Sequence, residues 1–176
     1  KGDSNSNGTV FNIEHYFAIL SLRVFSIFAM GKGLGREKEE WLAAAVSEGS
    51  FAIGRMITLG LPMWNIFPAT RTIKNSRDRL WEAVKPLVED RRANPLPEGE
   101  NTDCLSVMIE EEMTEIEMRD HIVTLLSAGH DTTAYFSAYL MYLLSTNQDV
   151  QDKLRNEILK TLNGRKEITA DDVAEM

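Results

Sequence analysis

Hydrophobic positions recur at helical spacing along most of the chain and alternate at strand spacing almost nowhere. From Asn12 the apolar residues Ile13, Tyr16, Phe17, Leu20, Val24, Ile27 and Phe28 follow one helical stripe that ends at Gly31. A second helix is predicted from Glu37 to Leu59, with Trp41, Ala45, Ala52 and Met56 inward and Gly60 and Pro62 as its stop. A third is predicted from Ala69 to Arg92, with Ile73, Leu80, Val84, Leu87 and Val88 on one face. Pro86 conflicts with it, because an interior proline removes a hydrogen bond and clashes with the preceding turn, so a kink or break is expected near Val84 to Pro86. Residues 93–103 hold two prolines, a glycine and two asparagines, and read as an exposed internal linker. Cys104 to Glu111 should form a short helix packing Leu105, Met108 and Ile109.

The longest pattern runs from Thr114 to Thr146 without a proline, with apolar residues at Ile116, Ile122, Leu125, Leu126, Tyr139, Leu140, Leu143 and Leu144. Thr114-Glu-Ile-Glu117 opens it as a capping box, the hydroxyl and the carboxylate each serving an orphan amide. At helical rise this element is ~50 Å long, the length of a domain's spine. Beyond it, Asp149 to Leu162 is amphipathic, with Val150, Leu154, Ile158 and Leu162 inward and Asn163-Gly164 as its stop. Thr169-Ala-Asp-Asp172 starts a last helix. The expected fold class is all-α.

Composition narrows the function. A length of 176 residues suffices for one domain, and 43% hydrophobic with 26% charged residues is ordinary for a globular chain. The net charge of −8 argues against a nucleic-acid surface. A single cysteine, Cys104, excludes an internal disulfide framework and is read as a buried structural thiol. The most apolar run, Phe17 to Met30, is broken by Arg23 and falls short of a membrane span. Lys1 to Gly8 is polar and expected to be loose, and the sequon Asn7-Gly8-Thr9 is read as chance. Gly31-Lys-Gly-Leu-Gly35 follows a helix and lacks a Lys-Ser/Thr ending, so it is a connector rather than a phosphate loop. His15, His121 and His130 are too scattered for a zinc site, and Glu110-Glu-Glu112 has no histidine to complete a ligand set, so no metal ligand is assigned.

The middle of the long helix is poorly chosen for a plain spine. Gly129 and the pair Thr132-Thr133 are weak helix formers, Gly costing roughly 1 kcal/mol relative to Ala. Threonine hydroxyls inside a helix can bond back four residues, here Thr132 to Ala128 and Thr133 to Gly129. Ala128 and Gly129 leave a flat place for a planar body, beside an acid and an alcohol adjacent in sequence. At these residues the chain resembles the cytochrome P-450 haem-thiolate monooxygenases. Ala128-Gly-His-Asp-Thr-Thr133 is similar to their oxygen-binding signature, (Ala/Gly)-Gly-x-(Asp/Glu)-Thr-(Thr/Ser), on the long central helix. The lead-in Thr114-Glu-Ile-Glu-Met-Arg-Asp-His-Ile122, the stretch Gln148 to Leu162 and the stretch Ile168 to Met176 resemble its flanks in order.

The resemblance implies a mainly α fold and a monooxygenase that inserts one oxygen atom into a small lipophilic substrate. It implies haem b (iron-protoporphyrin IX), whose cysteine thiolate favours O–O cleavage. Molecular oxygen would be the co-substrate, with electrons from NADPH through a reductase or ferredoxin partner. Thr132 then matches the alcohol that hydrogen-bonds the oxygen being activated, and Asp131 the acid that relays protons from solvent. Ala128, Gly129, Thr132 and Thr133 would lie along the cofactor, and Leu125, Ala128 and Thr133 would border the substrate pocket. His130, at the variable position, is expected to turn away from the pocket. The apolar loop Leu61 to Pro68 reads first as a loop folded over its own core. Under the resemblance its Trp64, Ile66 and Phe67 become candidates for substrate access or membrane contact.

The Glu-x-x-Arg helix, the Phe-x-x-Gly-x-Arg-x-Cys loop and the N-terminal anchor of the family have no counterpart among these 176 residues. Residues 1–176 are therefore expected to be the middle of a catalytic domain, inactive alone. The resemblance would place it at the endoplasmic reticulum membrane if eukaryotic and in the cytoplasm if bacterial. The competing expectation is a non-catalytic helical interaction module derived from the family.

Overall fold

The computed structural model describes residues 12–62, 67–97 and 103–175. The loose start, the sequon, Trp64, Ile66 and residues 98–102 of the linker lie outside the described residues. Seven helices are found among those described: α1 (Ile13–Met30), α2 (Arg36–Thr58), α3 (Pro68–Ala93), α4 (Cys104–Glu110), α5 (Glu115–Thr146), α6 (Gln148–Leu162) and α7 (Ala170–Glu175). They form two compact units, Lys1–Tyr135 and Phe136–Met176.

Helix ends follow local chemistry. Asn12 caps α1, its Oδ1 accepting from the amide of His15 at 3.2 Å, and Gly31 ends α1 with φ of 68°. Thr114 and Glu117 form the capping box of α5, with Thr114 N donating to Glu117 Oε2 at 2.9 Å and Glu117 N to Thr114 Oγ1 at 3.3 Å. Those bonds, the Thr114 amide first, hold the Glu117 carboxyl below the usual carboxylate range. Pro86 does not break α3, which continues through it to Ala93 with the proline on the exposed side.

In the first unit one core joins α1 to α4 and the first half of α5: Leu22 and Met30, Leu42 and Val46, Leu80, Val84 and Val88, Leu105, and Met118, Ile122 and Leu126. On α2 the expected inward residues Ala45, Ala52 and Met56 are buried, whereas Trp41 is exposed. On α1 the apolar stripe faces outward, with Tyr16, Leu20, Val24 and Phe28 all more than half exposed, while Ser21, Leu22, Ser26, Ala29 and Met30 are buried. That helix is apolar nearly all round, so its pattern does not say which face packs. By length and composition α1 would suffice to cross a membrane, with a mean hydropathy of 1.4 over 18 residues. It gives Leu22, Ala29 and Met30 to the core, and 28% of that window is buried.

An ion pair binds three of these helices. Arg91 on α3 reaches Asp103 at 2.8 Å, donates to Ser106 Oγ, and donates to the carbonyl of Met30 at 3.1 Å. Asp103 also caps α4 through the amide of Ser106 at 2.8 Å. The linker expectation put Asp103 in solvent, but its side chain is only 7% exposed, because a carboxylate that caps a helix and pairs with arginine is drawn inward. Cys104 beside it is half-buried against the core.

The second unit consists of the last turns of α5 with α6 and α7. Asn163 ends α6 in the left-handed conformation with φ of 45°. Thr169 and Asp172 cap α7 reciprocally, and Arg165 pairs with Asp172. No described residue of α6 is buried, so Val150, Leu154, Ile158 and Leu162 do not reach a core as their amphipathic spacing suggests. Tyr139, Leu140 and Tyr142 of α5 are exposed as well.

Candidate functional site on the long helix

The two faces of α5 separate the motif. Its packed face carries Met118, Ile122, Leu126, Gly129, His130 and Ala134, at spacings of one helical turn. Ala128 and Thr132 are exposed on the other side, with Leu125 half-buried at its edge, while Thr133, one turn beyond Gly129, is exposed in line with the packed face. Ala128 and Thr132 are one turn apart, and the Thr132 hydroxyl donates to the Ala128 carbonyl at 2.8 Å. Among the described residues no corresponding bond runs from Thr133 to Gly129. The Thr132 oxygen keeps its lone pairs for an incoming group. To donate instead, the hydroxyl must rotate away from Ala128, giving up a bond worth about 1 kcal/mol net.

Gly129 does not join this face. It is buried, and the ring of Phe25 from α1 occupies the place of a Cβ. The flat spot expected for a planar ligand is thus filled at Gly129 by the protein's own ring. Of the two small residues, Ala128 alone stays open.

Asp131 projects to yet another side. Ser47 on α2 donates to its Oδ1 at 3.1 Å, and its side chain is 16% exposed. It lines a cleft of about 590 Å³ between α2 and α5, whose other walls include Ser50, Phe51, Arg55, Leu59 and Tyr135. Burial, with the nearby carboxylates of Glu14 and Asp131, pushes the Tyr135 phenol above its ordinary value. The acid therefore faces a solvent-accessible cleft, while the alcohol next to it faces the open side of the helix.

His130 turns away from the open face, as expected, and is fully buried. Its Nδ1 lies 3.2 Å from Ser21 Oγ on α1, and its Nε2 lies 3.6 Å from Asp131 Oδ1. Burial lowers its pKa below 6.5, an effect the Asp131 charge and then the carbonyls of Ala18 and Ala43 partly offset. Sequence reasoning did not find Ser47, Ser21 or Arg55. The two serines stand 84 and 109 residues from their partners, and no local spacing marks them.

Beyond the motif, Phe67 is half-buried and lines a second cleft of about 470 Å³ with Arg55, Leu59, Leu61 and Thr72. Glu110, Glu111 and Glu112 are exposed.

The family model for Cytochrome P450 matches residues 3–176. The chain belongs to the cytochrome P450 family. It is 32% identical over 133 residues to "Putative cytochrome P450 137" of Mycobacterium tuberculosis, covering 70% of this chain and 26% of that protein. It is 30% identical over 127 residues to "Cyclooctat-9-en-7-ol 5-monooxygenase" of Streptomyces melanosporofaciens, covering 68% and 27%. It is 31% identical over 106 residues to "Bifunctional cytochrome P450/NADPH--P450 reductase ALT2" of Alternaria alternata, covering 56% and 9%. The chain thus spans about a quarter or less of the length of these relatives. Its fold matches the crystal structure of the cytochrome P450DA heme domain with a TM-score of 0.71 at 22% identity, over 96% of this chain and 38% of that one. The all-α expectation therefore holds as that of a P450 fold, and the haem, iron and oxidoreductase chemistry is that of the family.

Proposed function

We propose that this chain forms the oxygen side of the active site of a P450 monooxygenase acting on a small lipophilic molecule. Haem, when bound, supplies the activation of molecular oxygen. The residues present fit one side of such a group: Ala128 and Thr132 make a narrow open strip on a helix whose opposite face is packed. They do not supply its thiolate. Cys104, the sole cysteine of the sequence, lies on α4 against the core of the first unit. The iron ligand comes from outside these 176 residues, and the chain alone is inactive.

Within that frame each residue has a task. Ala128 leaves room for a planar group beside the helix. Thr132 holds a hydrogen bond at its Oγ1, and Asp131 exchanges protons with water in the cleft and passes them toward the open face, which is general acid work. Thr133 and Leu125 border the substrate. The observation that carries this reading is the division of two adjacent residues, an acid fixed by Ser47 at an open cleft and an alcohol on the open face. Electrons would come from NADPH through a redox partner, a reading supported by the reductase in the name of the Alternaria alternata relative. The alcohol named in the Streptomyces melanosporofaciens relative, cyclooctat-9-en-7-ol, favours a lipophilic substrate.

The test is Asp131→Asn in the full-length haem-loaded enzyme. Turnover should fall by about 10²-fold, the scale of general acid catalysis, and the rate should become sensitive to solvent deuterium. Unchanged turnover with no solvent isotope effect would rule the acid out. For the chain alone, addition of haem should give no thiolate-ligated spectrum; such a spectrum would overturn the assignment of the ligand to another segment.

A further inference from the structure

The one buried nitrogen of the motif without a hydrogen bond is Nε2 of His130. A neutral imidazole carries a single N–H, so the two ring nitrogens must divide donor and acceptor roles. On one side stands Ser21, whose Oγ lies 3.2 Å from Nδ1, 3.0 Å from the His130 carbonyl and 3.1 Å from the Ala18 carbonyl. On the other stands the Asp131 carboxylate, 3.6 Å from Nε2 and already holding the Ser47 hydroxyl. With the proton on Nδ1, a bare lone pair at Nε2 would face a negative charge in a water-free place. With the proton on Nε2, the N–H faces the carboxylate, and the single Ser21 hydrogen turns from the Ala18 and His130 carbonyls to Nδ1. Electrostatics in a low-dielectric surrounding choose the second arrangement.

We propose that His130 is a positioning residue for Asp131: the carboxylate selects the Nε2–H tautomer, and that N–H and the Ser47 hydroxyl hold Oδ1 from two sides. Oδ2 is left as the oxygen without a protein donor and is the one that exchanges protons in the cleft. At 3.6 Å the Nε2 contact is a guide rather than a formed hydrogen bond, and a shift of about half an ångström completes it. The charged and titratable groups around the carboxylate are His130 itself, Arg55 on α2, and Tyr135 one turn along α5. Glu14 on α1 acts on Tyr135. The inference rests on the proton-carrying role given to Asp131 above, and it assigns a task to the position where the family signature allows any residue.

Nitrogen-15 spectroscopy of the haem-loaded enzyme in a diamagnetic state, with labelled histidine, tests it directly. His130 should appear as a neutral ring protonated at Nε2 near pH 7, and Asp131→Asn should move part of the population to the Nδ1–H form. A wild-type ring protonated at Nδ1 would overturn the inference. A second readout is the solvent deuterium effect on turnover. His130→Leu should lower coupled turnover roughly tenfold, the scale on which outer partners of catalytic groups act, and raise the isotope effect. His130→Gln, whose amide can donate to Asp131, should restore both. Equal loss in the two variants would contradict positioning. The failures are separable: a Nδ1–H ring removes His130 while leaving Asp131 in place, whereas a silent Asp131→Asn removes the proton role whatever the tautomer.

Discussion

Gly129 offers the sharpest energetic test of how α5 is seated. Alanine is the better helix former by about 1 kcal/mol, so Gly129→Ala would stabilise a helix with nothing beside it. Here three ring carbons of Phe25 lie where the methyl must go. The ring packs edge-on to Phe28 at 6.3 Å and 72°, which limits its escape along α1. Overpacking of this kind costs ~1–3 kcal/mol, which offsets the propensity gain and leaves a net destabilisation of up to ~2 kcal/mol. Urea unfolding should show a lower midpoint at unchanged slope. In a Phe25→Ala background the obstacle is gone, and the same substitution should stabilise by ~1 kcal/mol, a coupling of ~1–3 kcal/mol between the two sites. Stabilisation by Gly129→Ala in both backgrounds would refute the packing of Phe25 on Gly129.

Three further outcomes follow from the polar contacts. Asp103→Ala strips a partner from a mostly buried Arg91 and uncaps α4, so unfolding free energy should drop by ~3 kcal/mol, and a drop under ~1 kcal/mol would contradict the burial of the pair. Arg165 and the Thr169 cap hold the Asp172 carboxyl well below the usual carboxylate range. A depressed acid contributes stability above its unfolded value of about 4 and loses it as pH falls further, so amide exchange in α7 should rise below that pH in wild type and be high already at neutral pH in Asp172→Asn. Burial lowers the His130 pKa, so the unfolded state binds a proton first as pH falls through about 6.5. The stability contribution is intact above that value and declines below it. The acid-side slope of unfolding free energy should flatten in His130→Gln, and an unaltered slope would contradict the burial of the ring.

Local chemistry made much of the fold legible. Asn12, Gly31, Thr114 with Glu117, Asn163 and Thr169 are capping residues whose effect is confined to one turn, and they mark the helix ends where the chain has them. The acid–alcohol pair was legible for the same reason, since adjacency in sequence is adjacency on the helix. What stayed hidden depends on partners far along the chain. The buried face of α1 carries two serines and no stripe, because Ser21 meets His130 and Ser26 bonds back to Leu22 at 2.7 Å. The pattern of α1 offered a larger apolar face, and that face is exposed. Gly129 read as a seat for a ligand because its emptiness was visible and the Phe25 ring that fills it was not. Pro86 read as a kink or a break because the local penalty is real; the helix does not break there, since on both sides it buries Leu80, Val84 and Val88.

The central claim is that the Thr132 hydroxyl, on the open face of α5, holds the hydrogen bond that couples oxygen use to substrate oxidation. Its most direct measurement is oxygen consumed against product formed in the full-length haem-loaded enzyme, for wild type, Thr132→Ala and Thr132→Ser. Thr132→Ala should keep consuming oxygen while most of it goes to peroxide or water, and Thr132→Ser, which keeps a hydroxyl at that place, should restore coupling. Full coupling in Thr132→Ala would contradict the account.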